Sequence, residues 1–135
     1  MKALVVDDDL VTRIMLQEIL SRYAEVHSCA DGNEAVWACT RALELGAPYD
    51  LICMDLMMPV MGGLEALKLI RREEGRRGRF RPYATKVIVT TAADDVDTID
   101  KAFRDLCDAY VVKPIDGAEL LNLVNCLFPI EERAV

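Results

Sequence analysis

Carboxylates, hydroxyls and one ammonium group follow directly after short apolar segments of this sequence. The four places are Asp7-Asp8-Asp9, Asp55, Thr90-Thr91 and Lys113-Pro114. Clustered carboxylates repel one another and raise each other's pKa unless a cation lies between them. Oxygen ligands of this kind favour a hard cation such as Mg2+, which uses one or two carboxylates together with waters and substrate oxygens. If these segments meet in space, the sequence predicts a site for a divalent cation.

The same set of groups is suited to forming an acyl phosphate. An aspartate carboxylate can act as the nucleophile towards phosphorus when a metal ion and a cationic side chain stabilise the charge that develops. Lys113 could neutralise one phosphoryl oxygen, and the hydroxyl of Thr91 could donate a hydrogen bond to another. Any one of these polar residues alone could be an ordinary loop residue, but coincidence is a poor explanation for the whole set.

Five segments are predicted to form the strands that position these side chains. They are residues 3–6, 25–29, 51–54, 86–89 and 109–112. Four of them are continuously apolar, which is typical of strands buried on both faces of a parallel sheet. The segment 25–29 is more polar and is interpreted as an edge strand. In such a sheet, ligands bind beyond the carboxyl ends of the strands, where the polar residues of this sequence occur.

Helical apolar stripes alternate with the predicted strands. The five stripes are Leu16, Ile19, Leu20 and Tyr23; Ala35, Ala38, Ala42 and Leu45; Leu64, Leu67, Leu69 and Ile70; Ile99, Phe103 and Leu106; and Leu120, Leu121, Val124 and Leu127. Asp94-Asp95 could cap the fourth helix. Strict alternation of strands and helices indicates a doubly wound α/β sandwich, which we expect to fill residues 1–135 as a single domain. Residues 71–82 hold six arginines and are interpreted as a frayed helix end and exposed loop, with local anion binding as the alternative.

Composition narrows the classes of partner. The chain has 135 residues and a formal net charge of -7, which argues against general binding to nucleic acids or membrane surfaces, since both require basic patches. No apolar run reaches the roughly 18 residues of a membrane span, and the first residues do not resemble a signal peptide. The five cysteines contain no CxxC pair and are interpreted as small buried hydrophobes in a reducing compartment. We therefore expect a cytoplasmic location.

Four motifs resemble those of the receiver domains of bacterial response regulators. They are LVVDDD at residues 4–9, MDLMMPVMGG at 54–63, VTTA at 89–92 and YVVKP at 110–114. The motifs occur in the family's order, and the resemblance covers nearly the whole chain. It implies a flavodoxin-like (α/β)5 sandwich, similar to the chemotaxis protein CheY, with a five-stranded parallel sheet in the order 2-1-3-4-5.

The resemblance also implies roles for individual residues in Mg2+ binding and phosphorylation. Asp55 would be the phosphoacceptor, Asp8 a direct Mg2+ ligand and Asp7 a ligand acting through water. The backbone carbonyl of Met57 would be a further ligand. Lys113 would contact the phosphoryl group or the carboxylate.

By the same resemblance, Thr91 and Tyr110 would form the pair that switches on phosphorylation. The phosphoryl donor would be a sensor histidine kinase or a phosphotransfer protein. A downstream protein would bind the face made by the fourth predicted helix, the fifth strand and the fifth predicted helix. The chain would be a signalling phosphoacceptor rather than an enzyme, catalysing only its own phosphorylation and dephosphorylation.

The family's pattern places two further side chains at the mouth of the site, two residues after Asp55 and two after Thr91. These are Met57 and Ala93, and neither carries a polar group that could orient water for hydrolysis. We therefore expect slower self-dephosphorylation than in receiver domains that carry an amide and a carboxylate at these two positions. The alternative is that both are surface residues with little effect on the rate.

The main alternative from a different class is a phosphatase of the haloacid-dehalogenase type. Asp7-x-Asp9 imitates the nucleophile motif of that family, and Thr91 and Lys113 imitate its later motifs. That family also requires an acidic pair on a later strand, whereas the acids after the lysine here lie at a helix start. A nucleotide-binding module would need a glycine-rich phosphate loop. His27, the only histidine, lies on the predicted edge strand, which disfavours histidine-based catalysis.

The sequence leaves the form of the output open. The chain ends at Val135, soon after the fifth predicted helix, so we expect no DNA-binding or enzymatic output domain within it. Three possibilities remain. The chain could signal by protein contact, pass its phosphoryl group onwards as a relay intermediate, or be a receiver taken from a larger protein.

Overall fold

Five strands form one parallel sheet in the computed structural model, which describes residues 1–97, 99 and 105–129. The strands are β1 (Lys2–Val6), β2 (Glu25–Cys29), β3 (Leu51–Asp55), β4 (Lys86–Thr91) and β5 (Ala109–Val112). Their order is β2-β1-β3-β4-β5, and every neighbouring pair is parallel. This topology confirms the predicted fold class and strand order. The order reverses between β1 and β3, so the carboxyl ends of these strands flank the crevice where such sheets bind ligands.

Four helices and one 3-10 turn connect the strands within the described residues. They are α1 (Leu10–Leu20), α2 (Gly32–Glu44), α3 (Gly63–Arg76), the turn Ala93–Asp95 and the C-terminal helix (Gly117–Leu127). The side chains of Asp9, Asp31 and Asp116 each accept a hydrogen bond from a backbone N–H in the first turn of a helix. These bonds satisfy donors that a helix start leaves without partners, which explains why three of the helices begin directly after an aspartate.

Two hydrophobic cores cover the opposite faces of the sheet. One contains side chains of α2 and α3, such as Ala35 and Leu67, and the other contains side chains of α1 and the C-terminal helix, such as Leu16 and Leu120. Strands β1, β3 and β4 contribute alternate residues to both cores. Because successive side chains of a strand point to opposite faces, these strands have to be apolar throughout. Strand β2 lies at an edge and is partly exposed, as predicted.

Two helix positions that were predicted to be buried lie at the surface. Tyr23 is 48% exposed and Leu45 is 65% exposed. Both predictions are wrong because the helices end earlier than the apolar stripes. Helix α1 ends at Leu20, and Leu45 is the residue that caps the end of α2.

The predicted fourth helix falls in large part on residues 98 and 100–104, which lie outside the described residues. Ile99 is described and is buried, as predicted. Asp94 and Asp95 lie inside the 3-10 turn, whose first residue has no side-chain cap. The helical residues 96, 97 and 99 follow directly after Asp95, so the prediction that these two aspartates cap the fourth helix depends on residues outside the described ranges and stays a prediction.

Buried cysteines behave as small hydrophobic residues in this fold. All five are free thiols, and Cys39, Cys53 and Cys107 are buried, whereas Cys126 is exposed. Burial raises the pKa of both Cys39 and Cys53 to about 12, so their thiols stay protonated and unreactive at neutral pH. Within the described ranges, none of the helices combines the length and apolarity needed to cross a bilayer.

The arginine-rich segment contains the regular end of α3 followed by an exposed loop, so the predicted loop is confirmed and the predicted fraying of the helix is wrong. Helix α3 continues to Arg76, and the guanidinium of Arg71 is largely buried. It donates hydrogen bonds to the Thr85 carbonyl at 2.7 Å and to the Leu106 carbonyl at 2.8 and 3.0 Å. It also pairs with buried Glu74 at 2.8 Å. We call these contacts the Arg71 clamp. A planar guanidinium can satisfy several acceptors at once, and here it ties α3 to the segments that lead into β4 and β5.

Candidate functional site

The three consecutive aspartates after β1 occupy three different environments. Asp7 is fully buried, whereas Asp8 and Asp9 are exposed. The carboxylate of Asp9 accepts hydrogen bonds from the hydroxyl and the N–H of Thr12, which lower the pKa of Asp9. Asp9 therefore stabilises the start of α1, and the other two carboxylates are left for the crevice at the edge of the sheet.

Lys113 connects the ends of three strands by contacting two buried carboxylates. Its Nζ donates to Oδ2 of Asp7 at 3.1 Å and lies 3.3 Å from Oδ2 of Asp55. The other carboxylate oxygen of Asp7 accepts from the N–H of Asp9 at 2.8 Å. Asp7, Asp55 and Lys113 follow or end β1, β3 and β5, so the sheet alone brings these distant residues together. The predicted convergence of these three side chains is present in the structure.

Burial dominates the proton affinity of Asp55. Loss of solvent raises the pKa of this carboxyl to about 6, although the Lys113 ammonium opposes the rise; the Asp7 carboxylate adds to it. Lys113 is affected in a different way. Burial by itself would lower the pKa of Lys113, but the carboxylates of Asp55 and Asp7 outweigh this effect and raise it. The lysine therefore stays charged, while Asp55 is held closer to neutrality than an ordinary aspartate.

Asp7, Asp8 and Asp55 form a group of carboxylates that could hold a metal ion. One oxygen from each residue lies within 4.8 Å of the others, and Asp8 is the exposed member that opens the group to solvent. Two buried carboxylates and one exposed carboxylate, all oxygen donors, are the ligand type that a hard divalent cation requires. The N–H of Met57 donates to Asp55 Oδ1 at 3.4 Å. The metal-binding role of the Met57 carbonyl stays a prediction.

Thr91 lies on β4 and Tyr110 lies on the adjacent strand β5. Thr91 is 1% exposed, and its hydroxyl donates to the Ala92 carbonyl at 3.2 Å. Tyr110 is 40% exposed. In the register between β4 and β5, Val89 faces Tyr110 and Thr91 faces Val112. Because the period of a strand is two residues, the side chains of Thr91 and Tyr110 share one face of the sheet.

Both residues predicted at the mouth of the site are exposed. Met57 follows β3 by two residues and is 64% exposed, and Ala93 is exposed at the start of the 3-10 turn after β4. Neither side chain can donate a hydrogen bond to a water molecule, and the only acceptor is the weakly accepting thioether sulfur of Met57. The two exposed side chains at the entrance to the charged pocket are therefore apolar.

Two residues that support the site were not identified from the sequence. A Cβ atom at Gly63 would collide with the backbone carbonyl oxygen of Asp55, so only glycine allows the start of α3 to lie against the end of β3. The guanidinium of Arg13 donates to the Asp7 carbonyl at 2.7 Å. The Gly62-Gly63 pair is a sequence signal that could have revealed the first contact. Arg13 carries no such signal, because its role depends on how α1 packs over β1.

The phosphatase alternative does not fit this geometry. It would need the Asp9 carboxylate to face the reacting group, and that carboxylate is instead bonded to Thr12 at the start of α1. His27 lies on the edge strand, with its ring nitrogens 2.7 Å from the Tyr49 hydroxyl and 3.1 Å from Glu25. His27 is a partly exposed residue of β2, as predicted, and both of its ring nitrogens are engaged in structural contacts.

Curated relatives contain segments similar to this chain within much longer proteins. The transcriptional regulatory protein ResD of Bacillus subtilis (strain 168) is 35% identical over 128 residues, which cover 93% of this chain and 47% of ResD. The hybrid signal transduction histidine kinase G of Dictyostelium discoideum is 32% identical over 133 residues, or 96% of this chain and 4% of that kinase. The chain therefore spans less than half the length of either relative.

Two solved structures are similar to the whole described fold. The receiver domain of sensor histidine kinase PA1611 from Pseudomonas aeruginosa PAO1, with a magnesium ion in its active-site cleft, gives a TM-score of 0.75 at 28% identity and covers 93% of this chain and 95% of its own. The receiver domain of Saccharomyces cerevisiae Ssk1, in complex with the phosphotransfer protein Ypd1, gives a TM-score of 0.77 at 28% identity, with coverages of 93% and 86%.

The family assignment follows from the agreement between the site and these similarities. A family model for the response regulator receiver domain matches residues 3–125. Domains of this family are signalling phosphoacceptors of two-component systems and are in general not enzymes. The match includes every residue of the carboxylate group and Lys113. This chain therefore belongs to the response regulator receiver domain family.

Proposed function

We propose that Asp55 is the residue that accepts a phosphoryl group from a histidine kinase or a phosphotransfer protein. The observation that supports this best is the contact between Asp55 Oδ2 and Lys113 Nζ, at 3.3 Å, inside a pocket of clustered carboxylates. Asp7 is a poorer nucleophile because it is fully buried and each of its oxygens already accepts a hydrogen bond. Asp55 keeps a small exposed surface at the mouth.

The proposed transfer uses a carboxylate oxygen of Asp55 as nucleophile. A P–O bond forms as the P–N bond of the donor phosphohistidine breaks, and the imidazole leaves. The Lys113 ammonium then lies beside the new phosphoryl oxygens and neutralises part of their charge. A carboxyl with a pKa of about 6 is mostly ionised at neutral pH, so the nucleophile is available without a separate base.

Mg2+ is the cation that this donor set fits, with Asp7, Asp8 and Asp55 as protein ligands and the Met57 carbonyl as a further one. When bound, Mg2+ would neutralise charge on the phosphoryl oxygens. The magnesium ion in the similar PA1611 receiver supports this choice. Repulsion among the three carboxylates is the reason this chain gains stability from a cation there.

An apolar surface beside the pocket supports docking of the phosphoryl donor. Leu10, Val11 and Ile14 are 57%, 74% and 46% exposed on the first turns of α1, directly after the aspartates that end β1. Exposed apolar groups this close together are typical of protein interfaces. The complex of the similar Ssk1 receiver with the phosphotransfer protein Ypd1 supports a donor of this class.

The downstream partner and the setting of the domain belong to the same proposal. Output would pass through β5, the C-terminal helix and the predicted fourth helix, where Tyr110 is exposed. Residues 1–135 would act as one receiver domain in the cytoplasm, catalysing only its own phosphorylation and dephosphorylation and binding neither nucleic acid nor membranes. The acidic net charge of -7 supports the last two expectations.

Intact-protein mass spectrometry after treatment with acetyl phosphate and Mg2+ tests this proposal. We expect a single phosphoryl adduct on the wild type, none on Asp55→Asn, and little on Asp8→Ala or when EDTA replaces Mg2+. Asp9→Asn is the matched control, since it removes a neighbouring carboxylate that caps α1, and it should be labelled like the wild type. An adduct on Asp55→Asn at the wild-type level would show that another residue is the acceptor.

A further inference from the structure

The loop that joins α3 to β4 lies at the amino ends of the strands, whereas Asp55 and Lys113 lie at their carboxyl ends. We define the arginine loop as residues 77–85, which follow α3 and precede Lys86, the first residue of β4. In a parallel sheet, the segments that lead into the strands lie at one end of the strands, and the segments that follow them lie at the other end. The arginine loop is therefore remote from the phosphorylation site, and its exposed groups have no role in phosphoryl transfer.

Side-chain hydrogen bonds hold the arginine loop in one shape. Arg79 Nη2 donates to the Tyr83 carbonyl across the loop at 2.7 Å. Arg81 Nη2 donates to the carbonyls of Asp105 and Cys107, both at 3.3 Å. A loop that is ordered before a partner arrives loses little conformational entropy on binding. The loop is thus suited to presenting side chains to another molecule.

The side chains that the loop presents are large, aromatic and cationic. Phe80 is 65% exposed and Tyr83 is 79% exposed. Arg77 of the loop and Arg72 near the end of α3 are exposed, and neither guanidinium forms a hydrogen bond or ion pair with the residues that the structure describes. Aromatic rings and arginines are the residues that most often anchor protein interfaces. Their concentration on this loop and the end of α3 that precedes it marks an interaction surface.

Arg79 adds a buried donor that lacks an acceptor. Its Nη1 is buried and has no hydrogen-bond partner in the described part of the chain. Cavities of about 160 and 150 Å3 flank the Arg79 side chain, the first also lined by Lys86. Asp50 and Asp105 line these cavities too, but neither forms an ion pair with Arg79. A buried cationic donor without an acceptor is costly, so an incoming carboxylate would relieve this cost.

We infer that the surface formed by Arg72, Arg77, Arg79, Phe80 and Tyr83 binds an acidic segment of a partner protein. Carboxylates would pair with the guanidinium groups, which bind them through two parallel hydrogen bonds, and apolar side chains would pack on the rings. Nucleic acid fits less well, because the few free guanidiniums of this surface offer few phosphate contacts.

Fluorescence anisotropy at low salt with labelled random copolymers tests this inference, since a copolymer offers every register of acidic and aromatic residues. The full chain should bind a glutamate–tyrosine copolymer more tightly than polyglutamate, and polyglutamate more tightly than a lysine–tyrosine copolymer. Arg77→Gln, Arg79→Gln and Tyr83→Ala should each weaken binding of the glutamate–tyrosine copolymer by roughly fivefold or more. Arg22→Gln, which removes an exposed arginine outside the loop, should leave it unchanged.

Three results would overturn the inference. The first is equal binding of the glutamate–tyrosine copolymer by wild type, Arg77→Gln and Tyr83→Ala, or no binding at all. The second is tighter binding of oligouridylate, which would make the loop a nucleic-acid surface. The third is a dimer in sedimentation that Tyr83→Ala dissociates, which would make it an interface between copies. Asp55→Asn should bind the copolymer like the wild type, so this outcome is independent of the phosphoacceptor assignment.

Discussion

Folding raises the proton affinity of the Asp55 carboxyl. Its pKa is raised to about 6 by burial, against a usual value of about 3.9 in an unfolded chain. A carboxyl whose pKa rises on folding binds protons more tightly in the folded state, so stability falls as pH rises through the window from about 4 to about 6. Above that window the ionised carboxylate destabilises the metal-free fold by a constant amount.

Asp55→Asn should therefore stabilise the metal-free protein at neutral pH. In EDTA, the free energy of unfolding should exceed that of the wild type by about 3 kcal/mol above pH 6, and the difference should shrink towards zero near pH 4. Urea denaturation at several pH values measures this. Asp97→Asn removes the same charge from an exposed position and serves as the control. A difference in the free energy of unfolding that does not change with pH would show that the raised pKa of Asp55 is not the cause of the stabilisation.

The lifetime of the aspartyl phosphate depends on how a water molecule is placed behind phosphorus. Met57 and Ala93 are exposed at the mouth and carry no group that could orient such a water. Met57→Asn/Ala93→Glu should speed loss of the phosphoryl group by about tenfold, because the amide and carboxylate would position the attacking water. Phosphate release after removal of the donor measures the rate. Met57→Leu keeps the apolar volume and should match the wild type, and an unchanged rate in the double variant would show that these positions do not limit hydrolysis.

At the scale of elements, the Arg71 clamp joins α3 to the segments that lead into β4 and β5. Its acidic partner Glu74 is 2% exposed and also accepts a hydrogen bond from the Thr85 N–H at 2.7 Å. Removing the cation would leave a buried carboxylate and two backbone carbonyls without their partner. Breaking a buried pair from one side costs several kcal/mol, whereas exposed pairs contribute little.

Arg71→Met should lower the free energy of unfolding by about 3 kcal/mol. Arg76→Met is a matched control on the same helix, because Arg76 pairs with Glu73 at the same spacing of three residues, but with a guanidinium that is 66% exposed. That control should lose less than about 1 kcal/mol. Chemical denaturation of both variants checks the contrast. Equal losses would mean that burial does not decide the strength of these pairs.

At the scale of the whole molecule, the proposed switch couples the pocket to the outer face of β5. The Thr91 hydroxyl donates to a neighbouring carbonyl, and a phosphoryl group on Asp55 would offer it a stronger acceptor. Movement of Thr91 would leave space on the shared face of the sheet for the exposed ring of Tyr110. The new hydrogen bond is the differential interaction that a population shift requires.

Thr91→Ala should accept phosphate to the wild-type level but fail to move Tyr110. The NMR signals of the Tyr110 ring, followed while beryllofluoride is added with Mg2+, report this movement. Thr90→Val is the control, since the Thr90 hydroxyl is buried and has no partner among the described residues, so its removal should leave the response intact. A Tyr110 response in Thr91→Ala equal to that of the wild type would break the proposed coupling.

Much of the fold and the inventory of the site follows from the sequence. Continuous apolar segments located four of the five strands, because a strand buried on both faces needs apolar residues at every position, and the more polar segment 25–29 was identified as the edge strand. The polar residues directly after those segments identified Asp7, Asp55, Thr91 and Lys113, since parallel strands place their carboxyl ends together. The strand order came from the resemblance of the motifs, and the parallel pairing confirms it.

Tertiary structure decided which of the polar residues does what. Asp7, Asp8 and Asp9 are identical in type and adjacent in sequence, yet the packing of α1 buries the first, exposes the second and commits the third to a helix cap. The burial of Arg71 likewise could not be predicted from the sequence, because its hydrogen-bond acceptors lie on segments 14 and 35 residues away. The pattern of polar and apolar residues predicts which face of a helix or strand is exposed to water. Hydrogen-bond partners that are this far apart in the chain are determined only when the helices and strands pack together.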